Sequence, residues 1–236
     1  MRNNIEKLLS INPYPGRGIL IGSGTDGKRM IIAYFIMGRS ENSRNRIFER
    51  TGDGIRTAAH DPAKLTDPSL IIYHPVRSTD GKTIVTNGDQ TDTILSHLKQ
   101  GSDFRAALQT REFEPDAPNY TPRISGLVYP DGSYTLSILK AIEGNPNCCQ
   151  RCFFEYSSPI SGLGHFISTY ETDGNPLPSF TGEPIQVDIT DSCGLEAFSM
   201  EIWNALDENN KVSLYAMERD LKTGETSDLI INKLGK

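Results

Sequence analysis

Short apolar, β-rich runs recur along most of this chain, and polar turn residues break them at short intervals. Residues 18–22 and 29–37 are two such runs, joined by Ser23-Gly24-Thr25-Asp26-Gly27-Lys28, whose Asp-Gly pair predicts a hairpin. Residues 69–76 and 82–86 repeat the pattern around Thr79-Asp80-Gly81. A third pair, 124–128 and 134–141, turns at Tyr129-Pro130-Asp131-Gly132. Residues 151–156 and 164–170 read as further strands, and 211–218 with 226–234 as a closing pair around Lys222-Thr223-Gly224. A helical period takes over in three places. Thr91 or Asp92 caps one helix, which runs through Ile94, Leu95 and Leu98 to Gly101. Ser102 caps a shorter one with Phe104, Ala107 and Leu108. Asp191 or Ser192 caps the last, whose apolar face is Leu195, Phe198, Ile202 and Leu206. Residues 173–183, rich in proline and glycine, predict a loop.

Hairpins outnumber crossovers, and the helices are segregated from the strands. The pattern is α+β, with largely antiparallel sheets covered by helices. With no internal repeat, residues 1–236 read as one domain.

Composition narrows the function classes. The 236 residues carry 24 Lys+Arg against 30 Asp+Glu, a net charge of −6, which argues against a nucleic-acid binder. No apolar run approaches the ~20 residues that cross a bilayer. Asn3, Asn4 and Glu6 interrupt any secretory leader, so a cytoplasmic location is expected. Cys148, Cys149, Cys152 and Cys193 lack the paired spacing of a structural metal site and are expected to be reduced thiols.

Against this acidic background residues 36–50 concentrate Arg39, Arg44, Arg46 and Arg50. Guanidinium forks bind phosphate or carboxylate bidentately, so the cluster is a candidate small-anion site, with a solvated basic loop as the alternative. Asn87-Gly88-Asp89-Gln90-Thr91-Asp92 joins a strand to a helix; backbone N–H groups converge there, in an anion site or in an ordinary capped turn. Glu112, Glu114 and Asp116 precede Arg123, an arrangement that suits a general base with an orienting partner, or a solvated surface pair. Tyr73-His74-Pro75 ends an apolar strand at Leu70-Ile71-Ile72, which places a polar pair at the end of a sheet. Gly22, Gly24 and Gly27 match the dinucleotide fingerprint in spacing, but a strand rather than a helix follows, so they read as a hairpin turn. Neither a G-x-S-x-G elbow nor an H-E-x-x-H pair occurs, and no Cys, Ser or Thr follows Met1 as a self-processed nucleophile.

Taken in order, A-Y-F-I-M-G-R-S at 33–40 with Asn45-Arg46, I-I-Y-H at 71–74, V-T-N-G-D-Q-T-D-T-I at 85–94, E-F-E-P-D at 112–116, N-Y-T-P-R-I at 119–124, F-I-S-T-Y-E at 166–171 and S-F-T-G-E-P at 179–184 resemble the archaeal-type inosine monophosphate (IMP) cyclohydrolase family. The resemblance runs from about residue 16 to 206. It implies a four-layer αββα sandwich like that of N-terminal-nucleophile hydrolases, without the nucleophile. The implied reaction closes the purine ring of 5-formamidoimidazole-4-carboxamide ribotide (FAICAR), giving IMP and water. Carried onto this sequence, the resemblance makes Arg46, Tyr73 and Glu114 catalytic and Arg39, Asn45, Asn87, Asp89 and Arg123 substrate-binding. It implies a small purine ribotide as the partner, with no metal or organic cofactor, nucleic acid or membrane; a homo-oligomer stays open.

The chain departs from the family pattern at Glu41–Arg44, which lengthens the link to Asn45-Arg46, at His74, where Asn is usual, at Asp89-Gln90, which replaces a Ser/Thr-His pair, and at an inserted Tyr120. A purine-nucleotide-binding protein without catalysis, and an amide-bond hydrolase on the same fold, are the alternatives.

Overall fold

The computed structural model describes residues 2–65, 68, 70–190 and 194–235. The chain is α+β, with two seven-stranded sheets. The first runs β1 (Asn3–Asn4), β12 (Ile185–Asp188), β11 (Leu163–Ser168), β2 (Arg17–Ser23), β3 (Arg29–Met37), β13 (Lys211–Asp220), β14 (Thr226–Asn232). The second runs β10 (Asn145–Tyr156), β9 (Tyr134–Ile142), β8 (Arg123–Val128), β7 (Lys82–Thr86), β6 (Val76–Thr79), β5 (Gly54–Ala59), β4 (Arg46–Thr51). β1 pairs parallel with β12, and the other ladders are antiparallel.

Strands β2 and β3 are buried on both faces, so their sequences are continuous apolar runs and alternation sorts the side chains between two cores. Leu20, Ile31, Ala33 and Phe35 meet Ile5 and Leu9 of α1 (Ile5–Ser10) and Leu195, Phe198 and Ile202 of α5 (Gly194–Ala205). Ile19, Ile21, Ile32, Tyr34 and Ile36 instead join Phe48, Ile55, Val85, Ile124 and Leu136 of the second sheet. A third core sets Ile84, Leu127 and Leu139 against Ile94 and Leu95 of α3 (Gln90–Lys99) and Phe104 and Leu108 of α4 (Phe104–Gln109). Among the described residues no helix is long and apolar enough to cross a membrane.

The structure departs from the sequence expectations at several elements. Leu70-Ile71-Ile72 is a turn rather than a strand: the Ile71 and Ile72 N–H groups both donate to the Pro68 carbonyl, at 3.1 and 2.9 Å. Ser69, part of that expected strand, lies outside the described residues. The arginine segment itself is not a loop: it leaves β3 through the short helix α2 (Glu41–Arg44) and enters the β4–β5 hairpin. Helix α3 begins at Gln90, earlier than Thr91 or Asp92 suggested. The cap of α4 is Asp103, whose carboxylate accepts from the Ala106 N–H at 2.7 Å, in place of Ser102. The expected caps of α5, Asp191 and Ser192, lie outside the described residues, as does Cys193.

The outer edge of β4 is closed by a side chain. Asn232 of β14 accepts from the Phe48 N–H at 2.8 Å and donates to the Phe48 carbonyl at 3.1 Å, occupying one rung of the second sheet from the first.

Candidate active site

Three arginines open strands on the two sheets. Arg17 starts β2, Arg46 starts β4 and Arg123 starts β8. A residue at a strand end keeps its backbone in the ladder while its long side chain reaches past the sheet. Between them lies Glu114, on the loop from α4 to β8, held by its own N–H to the Thr121 carbonyl at 2.9 Å. Its side chain is buried, and among the described residues none donates a hydrogen bond to its carboxyl. Burial lifts its pKa to about 7, against the pull of Arg17, Arg123 and Arg46; nearby Asp116 adds to the rise.

The cations are under-satisfied. Arg17 Nε, Arg46 Nη1 and Arg123 Nε are buried without a hydrogen-bond partner among the described residues. Arg46 is wholly buried and donates only to backbone, to Ser43 at 2.8 Å and Met37 at 3.4 Å. Burial and the neighbouring Arg17 charge both lower its pKa. For Arg17 burial acts in the same direction and is the largest single influence, but Glu114, Tyr170, Tyr73 and Tyr14 together outweigh it and its pKa is raised. Buried donors are nearly always paired in folded proteins, so three orphaned guanidinium nitrogens around one carboxyl describe a site shaped for an anionic ligand.

Tyrosines complete the walls. The hydroxyls of Tyr34 and Tyr73 are 2.8 Å apart, and burial holds the Tyr34 hydroxyl well above the usual phenol pKa. Tyr14 stacks on Tyr170 with ring centroids 6.0 Å apart, and the Arg39 guanidinium lies over the Tyr14 ring at 5.1 Å. A Cβ on Gly88 would stand 2.6 Å from Arg123 Nη1 and from Gln90 Oε1, and 3.5 Å from Glu114 Oε1, so a side chain here would push the ends of Arg123 and Gln90 out of place.

The structure brings Arg46, Tyr73, Glu114 and Arg123 into one electrostatic neighbourhood and holds the other expected residues differently. Arg39 pairs with Asp173 at 2.7 Å and donates to the Gly174 carbonyl at 2.9 Å. Arg44 is tied to Gly38 and Asn210, and Arg50 pairs with Asp228 at 2.9 Å, so the sequence cluster is dispersed in space. Asn45 clasps the Asp61 backbone, donating to its carbonyl and accepting from its N–H, both at 2.8 Å. Asn87 likewise spends its amide on the frame: its Nδ2 donates to the Pro122 carbonyl, and its Oδ1 accepts from Gln90 and the Ile124 N–H.

The family departures find partners. Asp89 bridges Arg111 at 2.6 Å and Arg123 at 2.7 Å, and these partners keep its pKa low despite burial. Gln90 accepts from Arg123 at 2.6 Å, His74 stands 3.8 Å from Asp92, and Tyr120 packs edge-on against Phe113. Buried Gln90 and the exposed Asp89 thus both hold Arg123. Arg17, Tyr14, Tyr34 and Tyr170 went unrecognised in the sequence. A single arginine between Gly16 and Gly18 carries no local signal, and an aromatic in a strand is indistinguishable from core. Among the described residues no cluster of His, Cys, Asp and Glu suits a metal ion, and Cys148, Cys149 and Cys152 are free thiols.

Fold and site together define an α+β protein with a buried carboxyl set among arginines and tyrosines. Comparison with known sequences gives the particular family. The pattern of a family described as IMP cyclohydrolase-like protein matches residues 14–225, and the chain belongs to that family. It is 31% identical over 161 residues to an IMP cyclohydrolase of Methanopyrus kandleri, spanning 66% of this chain and 75% of that protein. An IMP cyclohydrolase of Methanosphaera stadtmanae is 28% identical over 162 residues, with 67% and 74% spanned. One from Halobacterium salinarum is 30% identical over 132 residues, with 54% and 63% spanned.

Proposed function

We propose that this chain is an IMP cyclohydrolase, closing the purine ring of FAICAR to give IMP and water in purine biosynthesis. The observation that carries the reading is Glu114, a buried carboxyl with a pKa of about 7 facing arginines with unpaired buried nitrogens. The carboxamide nitrogen attacks the formyl carbon of the same molecule, so binding one rotamer supplies much of the acceleration. An amide is a poor nucleophile, and Glu114 takes its proton as the C–N bond forms, a role worth ~10²–10⁴-fold. A carboxyl that titrates near neutrality both accepts that proton and returns it to the departing water.

Charge develops on the formyl oxygen. Tyr34 is wholly buried and stays protonated; in this reading its hydroxyl is the donor of the 2.8 Å bond to Tyr73, the arrangement that leaves the Tyr73 proton for the formyl oxygen. Arg46 faces the same charge, and Arg17 and Arg123 offer their unpaired nitrogens to ribotide anions. Arg39, Asn45, Asn87 and Asp89 line or brace the pocket. In this reading the three cores correspond to a four-layer αββα sandwich of the N-terminal-nucleophile-hydrolase kind, formed by one domain over residues 1–236 and working in the cytoplasm without a cofactor. FAICAR mixed with the purified protein, followed by absorbance and chromatography of IMP, tests it. Glu114→Gln and Tyr73→Phe are each expected to lose at least ~10²-fold in kcat while staying folded. Parent-like turnover by both variants would sink the site assignment.

A further inference from the structure

One hydrogen-bonded chain leads from the site toward the surface and has a fixed direction. Asp116 is half-buried, and its two carboxylate oxygens hold both donors of Thr121: Oδ1 accepts from the backbone N–H at 2.7 Å and Oδ2 from the hydroxyl at 2.5 Å. The Thr121 hydroxyl also lies 2.6 Å from the hydroxyl of Tyr170, which is buried. An ionised carboxylate has no proton to give, so the Thr121 hydroxyl donates to Asp116. Its one proton is then committed, and toward Tyr170 it is an acceptor only. The Tyr170 proton therefore points to Thr121, away from the site. What Tyr170 presents inward is a lone pair, on the side of Arg17, the guanidinium that also feels Glu114.

We propose that Asp116, acting through Thr121, sets the hydrogen-bond polarity of Tyr170 so that its oxygen accepts from an N–H group of the bound ligand. The inference rests on the cyclohydrolase reading, in which both the carboxamide of FAICAR and the N1–H of IMP are such donors. Asp116 is a positioning residue; Tyr170 is the group that touches ligand. The device selects for a ring-edge N–H and against an acceptor at the same place, because two facing lone pairs leave a buried acceptor unpaired. It also links the Glu114 loop to the site wall, since the Thr121 carbonyl holds the Glu114 N–H at 2.9 Å.

Asparagine at 116 tests the polarity without changing the shape. The Thr121 N–H still requires an oxygen opposite it, which fixes the amide and turns its NH₂ toward the Thr121 hydroxyl. Thr121 then donates to Tyr170, and Tyr170 donates into the site against the ligand N–H. Asp116→Ala only removes the constraint. A polarity role therefore makes Asp116→Asn worse than Asp116→Ala, whereas a purely structural role makes asparagine the milder change.

The measurement is kcat and KM for FAICAR on parent, Asp116→Asn, Asp116→Ala and Tyr170→Phe, with IMP affinity by calorimetry and thermal melts alongside. The expected result is a loss of roughly 10- to 100-fold in kcat/KM and in IMP affinity for asparagine, the size of one mispaired buried group, with alanine losing less activity although it melts lower than asparagine, because it leaves the Thr121 N–H unpaired. An active parent with asparagine within about twofold of it, or milder than alanine, would overturn the inference and leave the cyclohydrolase reading standing. A parent that neither converts FAICAR nor binds IMP would overturn that reading and the inference with it.

Discussion

Glu114→Gln is expected to make the protein more stable at alkaline pH and to leave it unchanged in acid. The ordinary glutamate value is 4.5 and the folded value about 7, a difference of some 2.5. At about 1.36 kcal/mol per unit this is an upper bound of ~3 kcal/mol. The sign follows from proton counting. Between those two values the folded state holds a proton that the unfolded state has released, so stability falls as pH rises. The stability linked to the proton is full below about 4.5 and gone once pH passes about 7. Glutamine carries no such cost at any pH. The assay is a pair of thermal melts of both proteins, at pH 4.5 and pH 8.5, read as the difference between variant and parent so that other titrating groups cancel. For a chain of this size ~3 kcal/mol corresponds to roughly 6–12 °C in Tm at the higher pH. Equal differences at the two pH values would refute the claim that burial, against three arginines, governs this carboxyl.

Arg46→Met should abolish turnover while leaving the melting temperature equal to or above that of the parent, since a buried cation with no direct ion pair among the described residues is replaced by an apolar chain of similar volume; a marked loss of stability would instead make Arg46 a structural residue. His165 is the second pH-sensitive group. Its ring stacks on Tyr156 at 3.9 Å, its Nδ1 lies 2.6 Å from the Tyr134 hydroxyl, and burial lowers its pKa to about 4. The unfolded chain takes up that proton first, so stability is present above about 6.5 and is lost as pH falls toward 4. His165→Gln should flatten that acid limb in urea titrations at pH 7 and pH 4.5, and an unaltered limb would contradict the assignment.

Much of the fold was legible because hairpins advertise themselves. Asp26-Gly27, Thr79-Asp80-Gly81 and Tyr129-Pro130-Asp131-Gly132 mark turns, and the apolar, β-rich runs on either side mark strands. The strand expected at Leu70-Ile71-Ile72 rests on an apolar run that periodicity cannot distinguish from a strand; the Ile71 and Ile72 N–H groups turn back to Pro68, and the Ile71 carbonyl is taken by the Thr57 hydroxyl rather than by a ladder. The site was half legible. Arg39, Arg44, Arg46 and Arg50 are neighbours in sequence, but Arg46 starts a strand and turns inward, whereas Arg50 sits a rise of four residues along it and meets Asp228 in solvent. Conversely Arg17 and Glu114 are 97 positions apart, and only the packing of one sheet on the other makes them neighbours. Glu114 stood out among three carboxylates only by the resemblance; its burial is set by long-range packing.

The Asn232 clamp on Phe48 has a meaning for solubility. β4 ends its sheet, and an end strand with bare amide groups is a template on which another chain can grow a sheet. Here a carboxamide, shaped like a peptide bond, fills that rung from within the same molecule. β14 supplies the amide, so the final strand of one sheet acts as a stopper for the other. Whatever loosens it, whether a clipped tail or a nascent chain still short of residue 232, leaves the β4 edge open to self-association.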